Sequence, residues 1–77
     1  MPVRYPNIEA ERIRSGLTQQ ELSERIGITR KCYYNWQISG HIPASKILVM
    51  ADLFDCSTDY LLGRSDVRKY PTSVYPL

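Results

Sequence analysis

Seventy-seven residues with 43% apolar and 23% charged side chains make one small folded domain, near the size at which a single core just sustains a structure. That composition excludes a disordered chain, and no apolar run approaches the ~20 residues that span a bilayer. Net charge is only +2, yet no Asp or Glu occurs between Arg25 and Ala51, a stretch that carries Arg25, Arg30, Lys31 and Lys46. Keeping carboxylates off a basic segment removes repulsion toward a negatively charged partner.

Taken in chain order, residues 1–6 form a short arm. Asn7, after Pro6, is the expected N-cap of a first helix running through Arg14 to Gly16, with Glu9 in the first turn where it favours the dipole. Thr18 opens a second helix, Gln19 to Ile26. Glu21 completes a T-x-x-E capping box there, and Leu17 and Leu22 have the spacing of a hydrophobic staple. Gly27 ends that helix. Ile28 and Thr29 then repeat the apolar-then-cap pattern before a third helix, Arg30 to about Ile38. Two capped helices across a glycine corner are the sequence form of a helix-turn-helix.

Beyond the loop Ser39-Gly40-His41-Ile42, Pro43 suits the first position of a fourth helix that reaches about Asp55. Its Ile47, Leu48, Ala51 and Phe54 share a face and should line the core. Ser57 caps a short fifth helix that Gly63 closes. The expected fold is therefore all-α, with the compact domain over residues 7–63 and an irregular tail over 64–77, extended or dimerising. Leu61, Leu62, Tyr70, Val74 and Tyr75 exceed what so small a core needs and are the candidate dimer interface.

Helix three carries the chemistry. Positions 30, 31, 34 and 35 share one face, while 29, 32, 33 and 36 lie nearer the other. The second set, Thr29, Cys32, Tyr33 and Trp36, suits burial, and the Tyr33 hydroxyl must then find a surface or a partner. The first set, Arg30, Lys31, Tyr34 and Asn35, suits the DNA major groove. Arg matches guanine O6 and N7, Asn matches adenine N6 and N7, Lys takes guanine or phosphate, and Tyr reaches a phosphate or a thymine methyl. Thr18, Gln19 and Gln20 stand at the second helix's N-terminus, where free N–H groups and the dipole favour phosphate. Lys46, unfavourably placed in the first turn of helix four, would gain from a nearby phosphate too.

The run Thr18-Gln19-Gln20-Glu21-Leu22, the turn Gly27-Ile28-Thr29, Trp36, and Ser57-Thr58-Asp59-Tyr60-Leu61-Leu62-Gly63 resemble, in order and separation, the Cro/phage-repressor family, also called the xenobiotic-response-element family. The resemblance spans about residues 8–63 and implies a five-helix lambda-repressor-like fold. It implies base-facing roles for Thr29, Arg30, Lys31 and Asn35, with Tyr34 beside them, and a phosphate contact at Gln19. It also implies a two-fold dimer presenting two recognition helices. Two departures stand out: Gln37 replaces the family's usual Glu, and Ser39 then Gly40 occur where the glycine usually comes one residue earlier. Arg12 matches the family's partner of that Glu, so an Arg12–Gln37 hydrogen bond is expected here.

The expected function is a sequence-specific, double-stranded DNA-binding transcriptional regulator, a repressor acting as a homodimer. The competing reading is a protein-interaction module, antitoxin-like or an anti-repressor partner, on the same fold. One histidine, His41, with no nucleophile–base–acid cluster and no glycine-rich phosphate loop, argues against an enzyme. Cys32 and Cys56 lie in no metal-binding spacing and suit a reducing compartment, so the cytoplasm is expected, without metal, cofactor or small-molecule ligand.

Overall fold

Proline sets where the first helix begins. In the computed structural model, which describes residues 3–69, α1 spans Pro6–Arg14, with Tyr5 as N-cap and Pro6 in its first turn. Fixed φ and a missing N–H suit proline to that place, so the helix starts before Asn7 and not after it. Asn7, the expected cap, instead donates through Nδ2 to the Tyr60 carbonyl at 2.7 Å, tying α1 to the last helix.

Helix α2 spans Gln19–Ile26 and α3 Arg30–Ser39. The capping box at Thr18 forms in full: the Glu21 N–H donates to Thr18 Oγ1 at 3.0 Å, and the Thr18 N–H to Glu21 Oε1 at 2.9 Å. At the other end Gly27 takes φ +76°, and the N–H of Ile28 reaches back to the Ser23 carbonyl at 2.9 Å. This left-handed corner turns the chain so that Thr29 caps α3, its hydroxyl accepting the Cys32 N–H at 3.1 Å.

Helix α4 spans Ala44–Phe54, with Pro43 as N-cap in extended conformation, so the helix begins one residue later than the sequence suggested. The Pro43 carbonyl accepts the N–H groups of Lys46 and Ile47, so the ring sits just outside the first turn and still removes no needed donor. Its buried face is Ile47, Met50, Ala51 and Phe54. Leu48, expected in the core, is 58% exposed. Both stripes are compatible with a helical period; the neighbouring helices select the one through Met50. Helix α5, Thr58–Leu61, is a single turn capped by Ser57.

Ile8, Leu22, Ile26, Tyr33, Trp36, Ile47, Met50, Phe54 and Leu61 form the core, to which every helix contributes. Leu61 is wholly buried there, which removes it from any dimer interface. Three consecutive apolar residues, Tyr60, Leu61 and Leu62, could not tell an inward leucine from an outward one. Tyr70, Val74 and Tyr75 lie outside the described residues. Residues 64–69 have no regular structure, yet they are tied down. Arg68 donates through Nε and Nη2 to the two oxygens of buried Glu11 at 2.9 and 2.7 Å, and through Nη2 to the Phe54 carbonyl at 2.7 Å. The carbonyls of Val67 and Arg68 accept from the Ser57 hydroxyl and N–H.

Candidate nucleic-acid interface

The caps of α2 and α3 fix the interface from the backbone upward. Arg30, Lys31, Tyr34 and Asn35 are all exposed, while Tyr33 and Trp36 on the opposite side are buried. Thr29 departs from the expected partition: it is exposed, because as N-cap it precedes the helical register that buries Cys32, Tyr33 and Trp36. The exposed face runs on to Ile38, which is 47% exposed.

Thr18, Gln19, Gln20 and Arg30 line one open depression of about 430 Å³. The structure thus brings the residues expected at phosphate beside the first residue expected at bases. The capping box uses the N–H groups of Thr18 and Glu21 and leaves those of Gln19 and Gln20 for an outside acceptor. Hydrogen bonds from the Thr18 N–H and hydroxyl hold the Glu21 carboxyl below its ordinary range. Gln20 Nε2 donates to Glu24 at 3.0 Å.

Lys46 is not part of this cluster. Its ammonium donates to the Ile26 carbonyl at 2.7 Å, so the charge placed awkwardly for its own helix completes the C-terminus of α2. This carbonyl supplies part of the compensation and takes one of the three ammonium N–H bonds, leaving two. His41 is an exposed loop residue, and among the described residues no group of three or more His, Cys, Asp or Glu side chains is placed to hold a metal.

Beneath the exposed face lies a buried polar network, and here the expected Arg12–Gln37 bond does not form. Arg12 donates to both oxygens of Glu9, at 3.0 and 2.9 Å, and to the Leu17 carbonyl at 2.6 Å. Glu9, one turn earlier on the same helix, satisfies the guanidinium fork before α3 is reached. The Arg12 hydrogen bond holds the Glu9 carboxyl below its usual range, against the opposing effect of burial. Tyr33 donates its hydroxyl to Glu9, which is the partner its burial required, and burial raises the Tyr33 pKa.

Freed from Arg12, Gln37 turns to the N-terminal segment. Its Oε1 accepts the Tyr5 N–H at 2.8 Å, and its Nε2 donates to the Tyr5 carbonyl and to the Tyr33 hydroxyl, both at 3.3 Å. The Gln37 carbonyl accepts the Arg4 N–H at 3.0 Å, and the Tyr5 hydroxyl donates to the Gly40 carbonyl at 2.5 Å. Residues 4 and 5 are thereby clipped to the C-terminal end of α3. Sequence reasoning missed this clip, although the replacement of a usual Glu by an amide that also donates was a visible signal.

A family described as Helix-turn-helix matches residues 8–61. Three transcriptional regulators of Bacillus subtilis (strain 168) are similar to this chain. YobD, an uncharacterised HTH-type regulator, is 39% identical over 51 residues, covering 65% of this chain and 46% of its own length. YqaE, also uncharacterised, is 35% identical over 66 residues, covering 83% and 57%. The HTH-type regulator ImmR is 32% identical over 63 residues, covering 80% and 50%. The chain spans about half the length of these relatives. No solved structure matches it significantly. The chain belongs to the Cro/C1-type helix-turn-helix family, as its relatives named HTH-type transcriptional regulators do.

Proposed function

We propose that the protein is a repressor that reads the major groove with α3 and acts as a homodimer in the compartment that holds its DNA. One observation carries this reading: Arg30, Lys31, Tyr34 and Asn35 share an exposed face, and Arg30 adjoins the open N-terminus of α2. A phosphate seated on the N–H groups of Gln19 and Gln20 would fix the register in which α3 enters the groove. The Thr18 hydroxyl and the two remaining N–H bonds of Lys46 complete the proposed phosphate set. Thr29 and Arg30, at the N-terminal end of α3, would lie deepest in the groove.

Base choice should rest on Arg30 and Asn35. The Arg fork suits guanine, whereas Lys31 carries a flexible point charge that settles equally well on phosphate. One bidentate pair discriminates by about 1–3 kcal/mol, so Arg30→Ala should relax preference at one position per half-site when bound sequences are selected from random duplexes. If Arg30→Ala and Asn35→Ala each weaken binding but leave the selected sequence intact, readout belongs to other residues.

One helix-turn-helix reads few base pairs, and two recognition helices one DNA turn apart, about 34 Å, require a dimer. With Leu61 buried, the surface that supports dimerisation is the open apolar depression of about 340 Å³ lined by Ile42, Ala44, Ile47, Leu48, Thr58 and Leu62. Leu48→Glu should then yield a folded monomer by sedimentation, with weakened binding to a palindromic site. A dimer that persists in that variant places the interface elsewhere.

A further inference from the structure

The N-terminal clip puts a cation at the far end of α3. Arg4 is exposed, and among the described residues its guanidinium has no hydrogen-bond acceptor and no carboxylate partner. It lies across Gly40: a Cβ built on that glycine would stand 2.5 Å from Arg4 Nε and 3.0 Å from Cδ. Glycine is needed at position 40 for its φ of +82°; the flexible Arg4 side chain would only have to shift to admit a Cβ there. Val3, Arg4, Gln37 and Ile38 line an open depression of about 490 Å³, and Ile38 continues the exposed face that starts at Arg30 and Lys31.

Helix α3 has 10 residues, so it is about 15 Å long. The major groove is about 12 Å wide, so a helix of that length entering it by its N-terminal end brings its C-terminal end back to the sugar-phosphate backbone at the groove's rim. The end beside α2 offers backbone N–H groups and Arg30. The other end, with the negative pole of its dipole, would repel phosphate unless a cation stood there.

We propose that Arg4, held beside Gly40 by the bond of its N–H to the Gln37 carbonyl, is a phosphate-contact residue for the strand across the groove. The proposal rests on α3 as the groove-entering helix. Arg4's phosphate contact is sequence-independent, so it should contribute affinity and salt dependence without base preference.

The test compares wild type, Arg4→Ala and Arg4→Lys on one duplex across a range of salt, together with unfolding temperature and selection from random duplexes. Each neutralised phosphate contributes about −0.9 to the slope of log K against log salt. Arg4→Ala should make the slope shallower by about 0.9 per bound copy, with the unfolding temperature and the selected sequence unchanged. Arg4→Lys should keep the wild-type slope. A wild-type slope in Arg4→Ala overturns the proposal, and a lowered unfolding temperature beside it would make Arg4 a cap of α3 alone. A changed base preference in Arg4→Ala also overturns it. Should Arg30→Ala and Asn35→Ala leave selection untouched while Arg4→Ala flattens the slope, base readout belongs to other residues and the Arg4 contact stands. Absence of duplex binding by wild type overturns both.

Discussion

Gln37→Glu is expected to lower the unfolding temperature markedly, although it restores the residue usual in the family. Gln37 is 1% exposed and both ends of its amide are used: the oxygen accepts from Tyr5, while the nitrogen donates to the Tyr5 carbonyl and the Tyr33 hydroxyl. A carboxylate has no donor for those two oxygens. It would also lie near Glu9 across the shared Tyr33 hydroxyl, while Arg12 is already held by both oxygens of Glu9. A buried charge left without its own partner costs about 3 kcal/mol, and each kcal/mol shifts a domain of this size by about 4–8 °C. A drop of more than ~10 °C is expected at neutral pH.

The pH dependence gives the sign of the cause. Burial without a partner raises the new carboxyl above its ordinary pKa of about 4.3. A raised acid binds protons more tightly when folded, so the penalty grows as pH rises through the window between the unfolded and folded values. Below about pH 4 the protonated acid donates again and the gap to wild type should narrow. Adding Glu9→Gln should recover part of the loss, because Arg12 then has one carboxylate to serve. An unchanged or raised unfolding temperature in the single variant would mean that Arg12 leaves Glu9 for residue 37.

What was legible in the sequence was local. Thr18 with Glu21, Gly27, Thr29 and Ser57 announce helix ends within four residues of themselves, and each forms the cap its chemistry implied. The exposed set Arg30, Lys31, Tyr34 and Asn35 followed from helical spacing alone. What failed depended on choices between partners. Period alone allows Leu48 or Met50 to face inward, and only the positions of the other helices decide. Arg12 was expected to reach Gln37, but Glu9 on its own helix prevailed because it needs no tertiary docking. Lys46 found a backbone carbonyl twenty residues away that no pattern marks.

The longest of these hidden pairings gives the second large effect. Arg68→Ala is expected to destabilise the domain although residue 68 lies beyond the last helix. Glu11 has a side chain only 4% exposed, and Arg68 holds both its oxygens and the last-turn carbonyl of α4. The Arg68 hydrogen bond is the main reason the Glu11 carboxyl lies below its ordinary range. A carboxyl depressed in the folded state contributes stability that is full above its unfolded pKa, about 4.3, and is lost as pH falls through the folded value. Without Arg68, Glu11 keeps the Tyr60 hydroxyl at 3.3 Å and Arg14 at 3.8 Å, but Arg14 is largely exposed and its attraction is screened. The deficit relative to wild type should therefore be greatest at neutral pH and shrink in acid, where Glu11 is protonated in both proteins. A deficit that does not change with pH would assign the loss to the Phe54 carbonyl and not to Glu11. The same argument governs truncation: a chain ending at Gly63 loses Arg68 and should be as unstable as Arg68→Ala, whereas one ending at Lys69 should keep the wild-type unfolding temperature. Only the chain ending at Lys69 separates what residues 70–77 do for dimerisation from what Arg68 does for the fold.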